Sequence, residues 1–132
     1  MQTATQLLPI RNIEMKYHPK LSILRSLLFT YNIENLDDSE REIFIASKNI
    51  NNDEELIDLF NELTKPEFIK YKREEREWHI NTIQYFLNKD ENFESVFYLF
   101  DTYFNDEIAD KRKFMKTLLD CLYRYNTEVM DK

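Results

Sequence analysis

The residues best equipped for chemistry in this chain are few and scattered. Glu75 and His79 lie four apart in the stretch YKREEREWHI, residues 71–80. On a helix they share a face and could hydrogen-bond or offer two ligands to a metal. A zinc or di-iron centre needs three or four ligands at set spacings, and two histidines, His18 and His79, cannot supply HExxH. The di-iron signature of helical bundles places Glu three residues before His; Arg76 stands there instead. The single cysteine, Cys121, falls beside an apolar helical stripe, where a free thiol acts as a small hydrophobe.

Glycine is absent altogether. Phosphate-binding, dinucleotide-binding and nucleophile-elbow loops all depend on glycine, as does an EF-hand loop, so these motifs are excluded. No catalytic, cofactor-binding or metal residue is assigned, and the expectation is a non-enzymatic protein.

The elements that would position these groups are helices. Without glycine, tight hairpin turns are costly, and Asn32, Asn35, Asn49, Asn88 and Asn105 are expected to supply the left-handed positions at helix ends. Helix starts are read at His18-Pro19, at Ser39 with Glu42, at Asn52 with Glu55, and at Thr64 with Pro66 and Glu67. Asp90 precedes a stripe of Phe93, Val96, Phe97, Phe100 and Phe104. Asn105-Asp106 precedes a last stripe that includes Met115, Leu118, Leu122 and Tyr125.

The prediction is an all-α chain of about six helices in antiparallel hairpins, forming an irregular bundle or a short solenoid. Residues 1–17 are expected to be irregular and residues 18–132 to form a single helical domain. Pro66 to Leu87 reads as one helix, the alternative being a break near Arg73 into two shorter ones. Between Tyr71 and Trp78 it has no apolar residue, so that turn and a half is expected to stay exposed.

Charge is uneven. The chain carries −7 overall, yet residues 34–62 hold ten acidic against two basic side chains, and residues 88–110 hold seven against one. Many of these carboxylates fall in first helical turns, where they complement the macrodipole. The basic cluster Lys111, Arg112, Lys113 and Lys116 also lies early in a helix, where the dipole disfavours it.

The functional expectation is an acidic protein-protein interaction protein. It would be an inhibitor of immunity, antitoxin or nucleic-acid-mimic type, occupying a basic site on a protein partner. The candidate contact residues are Asp37, Asp38, Glu40, Asp53, Glu54, Glu55, Asp58, Glu74, Glu75, Glu77 and Trp78. The alternative is a helical scaffold or subunit of a larger assembly, with the oligomeric state left open. Net negative charge opposes nucleic-acid binding. No apolar run is long enough to span a membrane. One cysteine permits no internal disulfide, which fits a reducing, cytoplasmic location.

Overall fold

The computed structural model describes residues 16–33 and 39–130. The fold is all-α. Helix α1 (Ser22–Leu27) leads into a 3₁₀ turn, Phe29–Tyr31. Helix α2 spans Ser39–Ala46 and α3 spans Asp53–Leu59. A π-helical turn, Phe60–Thr64, joins α3 to α4 (Lys65–Phe68). Helix α5 runs Arg73–Asn88, α6 is the single turn Glu94–Phe97, and α7 is Lys111–Met130. Most of the expected N-terminal segment, together with Asp37 and Asp38, lies outside the described residues.

The long helices form because their apolar residues recur at helical spacing. In α7, Phe114, Met115, Leu118, Leu119, Cys121, Leu122 and Tyr125 make one buried face. Each large apolar side chain buried there contributes about 2 kcal/mol. Asp110 opens this helix, its Oδ1 accepting the Lys113 N–H at 3.0 Å, rather than Asn105-Asp106. Helices α5 and α7 run antiparallel. Arg76 at the start of α5 meets Asn126 near the end of α7, and Arg112 at the start of α7 meets the Leu87 carbonyl at the end of α5. Asn52 caps α3 as its spacing suggested, accepting the Glu55 N–H at 3.1 Å.

Four local expectations are corrected. Thr64 caps nothing: it is buried in the π turn, with its hydroxyl 2.8 Å from Tyr31 Oη. The same Tyr31 hydroxyl donates to the Leu59 carbonyl at 3.2 Å. A π turn displaces the regular bonding ladder, and this tyrosine reaches the carbonyl at its start. Secondly, Pro66 to Leu87 is not one helix but two, as the alternative of a break near Arg73 has it. The chain breaks after Phe68 and restarts at Arg73, with the Lys72 N–H donating to Glu75 Oε1 at 3.1 Å. Thirdly, the stripe from Phe93 to Phe104 does not make a long helix. Only Glu94–Phe97 is helical. Finally, no described asparagine supplies a left-handed turn: those positions are Asp90, Phe93 and Leu99, at φ 62°, 60° and 51°.

Candidate functional site

The restart of the chain at Arg73 determines what the charged run does. Arg76 is turned inward and is only 6% exposed. Its guanidinium donates to the Tyr71 carbonyl at 2.6 Å and to Asn126 Oδ1 at 2.8 Å, which meets the requirement that a buried charge be hydrogen-bonded. His79 is buried beside it. Its ring stacks on Tyr71 with centroids 5.0 Å apart, and its Nδ1 lies 2.7 Å from the Glu75 carbonyl. A carbonyl can only accept, so Nδ1 carries the proton. Burial is the main influence on this imidazole and holds its pKa below the ordinary value. The expectation that residues 72–77 lie wholly exposed is therefore wrong for Arg76, because polar partners replace the missing apolar ones.

Trp78 is half-buried and donates from Nε1 to the His18 carbonyl at 2.7 Å, with its edge against Tyr17. Its indole anchors the chain that leads into α1. Glu77 pairs with Arg73 at 3.1 Å, and Glu75 serves the helix start. On α3, Asp58 pairs with Lys48 at 3.3 Å and Asp53 with Lys113 at 3.6 Å, while Glu55 accepts the Asn49 N–H at 2.9 Å. Glu54 and Glu74 are exposed, and Glu40 lies in the first turn of α2. These carboxylates are spread along α7 rather than gathered at one point. Asp53 sits beside Lys113 and the α5 group beside Asn126, roughly 20 Å apart along α7 at 1.5 Å per residue. Cys121 is buried and its thiol is pushed up by that burial, so the group is held in its neutral form. Among the described residues, no group of three His, Cys, Asp or Glu side chains could hold a metal ion.

A different segment stands out: the connection from α5 to α7, which holds only one helical turn in residues 89–110. Connections of this length are uncommon in small domains and are usually functional or disordered. This one is fixed to the body at four places. Arg112 donates to the Leu87 and Glu91 carbonyls at 2.8 and 2.7 Å. Arg25 reaches the Val96 and Tyr98 carbonyls at 3.0 and 2.8 Å, closing the C-terminal end of α6. Residues 31–33 bond to 101–103, through Tyr103 N–H to the Tyr31 carbonyl at 3.0 Å and Ile33 N–H to the Asp101 carbonyl at 2.9 Å. The Asn51 amide donates to the Glu107 carbonyl and accepts the Ala109 N–H, both at 2.9 Å. Three members of the basic cluster at the head of α7 are thereby explained, since Arg112 caps α5 while Lys111 pairs with Glu94 at 3.4 Å and Lys113 with Asp53.

Phenylalanines fasten the segment from within. Phe93 is fully buried, and Phe97 and Phe104 lie against Phe114 with centroids 5.5 and 6.0 Å apart. Between these anchors Tyr98 and Leu99 project into solvent, 70% and 80% exposed. A leucine at φ 51° costs about 1–2 kcal/mol relative to an ordinary conformation. Burial cannot offset that cost, because the side chain is outside. Strain of this kind persists only where the surrounding structure enforces it, as it also does at Asp90 and Phe93.

Next to this ridge opens a groove of about 760 Å³. Phe97, Phe100, Phe104 and Ile108 contribute apolar surface to it, and Glu94, Asp101, Asp106 and Glu107 contribute carboxylates against the one ammonium of Lys111. No ion pair among the described residues uses Asp101, Asp106 or Glu107. Sequence reasoning placed acidic charge in this region but did not single out Tyr98, Leu99 or these carboxylates. One signal was available. On the expected helix, Tyr98 and Leu99 both fall off the stripe of Phe93, Val96, Phe97, Phe100 and Phe104.

No family model, curated protein or solved structure matches the chain.

Proposed function

We propose that this is a non-enzymatic, acidic helical binding protein that occupies a basic site on a macromolecular partner, as inhibitors of immunity or antitoxin type do. The observation that supports this reading is the pinned connection between α5 and α7. It presents an exposed apolar pair, Tyr98 and Leu99, beside Asp101, Asp106 and Glu107, which enter no ion pair among the described residues. A tyrosine and a leucine on a fixed backbone lose little freedom on binding, which is what an interface anchor needs. The surrounding negative charge steers a basic partner towards them and rejects an acidic one. The contact surface is thus moved from the α3 and α5 carboxylates, most of which are engaged within the molecule, to residues 94–107.

The test is capture from the native host at low salt, followed by reconstitution with the purified partner. Leu99→Asp is expected to abolish binding, and raising the salt to weaken it steeply. A partner retained equally by Leu99→Asp, or one whose affinity ignores salt, overturns the reading. Exposed Ile43 on α2 favours the alternative of a self-associating helical subunit. Light scattering that gives a concentration-independent monomer would remove it.

A further inference from the structure

We infer that the groove beside Leu99 seats an arginine side chain from a basic segment of the protein partner, an inference that rests on the binding reading above and names the chemistry of its contact. Two features of the groove converge with the chemistry of arginine. The apolar surface is aromatic in part, and ring faces attract cations, arginine especially. The carboxylates of Asp101, Asp106 and Glu107 line the same groove and have no cationic partner of their own among the ion pairs of the described residues. A flat guanidinium can stack on a ring and pair with a carboxylate at once, which an ammonium does less well.

The fold already uses this chemistry on the neighbouring surface. Arg25 lies 5.1 Å from the Phe100 ring centroid while its guanidinium donates to backbone carbonyls. Phe100 also lines the groove, so the two surfaces share a ring. Leu99, on the ridge, would then cover the aliphatic stem of the arginine or a neighbouring apolar residue of the partner.

The probe is an end-capped tetra-arginine peptide titrated into the ¹⁵N-labelled full chain. Saturable amide shifts are expected at Phe97, Leu99, Thr102, Asn105 and Glu107. The tetra-citrulline analogue keeps the shape without the charge and is expected not to bind. The tetra-lysine analogue should bind more weakly than arginine. The combined change Asp101→Asn, Asp106→Asn and Glu107→Gln should weaken tetra-arginine about tenfold, since each exposed pairing contributes about 0.5 kcal/mol. Shifts spread evenly over the α3 and α5 carboxylates, or equal binding of citrulline, overturn the inference. The two readings fail separately. If the partner needs Leu99 yet ignores the triple change, the ridge stands and the arginine seat falls. If tetra-arginine is seated but no basic partner depends on Leu99, the seat stands and the proposed function falls.

Discussion

Residues 72–77 carry six consecutive charges, yet Arg76 from this run is buried against α7. Residues 93–104 carry six aromatics, yet Tyr98 and Leu99 at their centre face solvent. Partners explain the exchange better than polarity does. Arg76 finds a carbonyl and an amide oxygen inside, so its charge is satisfied without water. Tyr98 and Leu99 find none of the core, because α6 ends at Phe97 and Arg25 holds the carbonyls that a longer helix would have used. Composition sets how much a segment could bury. The hydrogen bonds of the backbone decide what it does bury.

The sharpest way to break the comparison is Arg76→Ala, which leaves the Tyr71 carbonyl and Asn126 without their charged donor. We expect a loss of about 3 kcal/mol in urea unfolding. Arg73→Ala, on the exposed side of the same run, should change stability by less than about 0.5 kcal/mol. Equal effects would show that the inward turn of Arg76 carries no weight. On the aromatic side, Arg25→Ala should cost about 2 kcal/mol. It should also raise amide hydrogen exchange at residues 96–100 well before that of α7. Uniform exchange would mean that the connection is not held by this clamp.

Leu99→Asn is expected to have the opposite sign. Asparagine tolerates φ 51° better, so stability should rise by about 1 kcal/mol while partner binding falls. A stabilised variant with unchanged binding would strip the exposed leucine of its role. The smallest effect concerns pH. His79 has its pKa lowered from the ordinary 6.5, first by burial, against opposing influences from the Glu75 and Ile23 carbonyls and the Glu75 carboxylate. The unfolded chain therefore binds this proton more readily than the folded one. That contribution to stability is complete above pH 6.5 and is lost as pH falls from there through the lower folded value. His79→Gln should flatten the decline of the urea midpoint in this window. An unchanged slope would assign it to other groups.

The helical class was legible because α3, α5 and α7 repeat apolar residues at helical spacing, and Asn52 announces its own cap. The break at residues 69–72 was legible only as an alternative near Arg73, since Ile69, Tyr71 and Trp78 suit one helix as well as two. The connection after α5 misled for a related reason. Phe93, Phe97, Phe100 and Phe104 have helical spacing, but here they reach the core from an irregular backbone held by Arg25, Arg112 and Asn51. Those three partners come from outside the segment, so no local pattern could reveal them. The candidate site shares that opacity: negative charge near residues 88–110 was visible, whereas the groove and the ridge exist only once the distant clamps close.

The Arg25 clamp has a kinetic consequence. It joins residues 70 to 73 positions apart, so it can form only after both halves of the chain have docked. Closing so long a span carries its entropy cost before any contact rewards it. The connection should therefore order after the folding barrier. Removing the clamp would then speed unfolding and leave the folding rate nearly untouched. The surface proposed for a partner would be the last part of the molecule to take shape, and on that proposal a half-folded chain would have nothing to present.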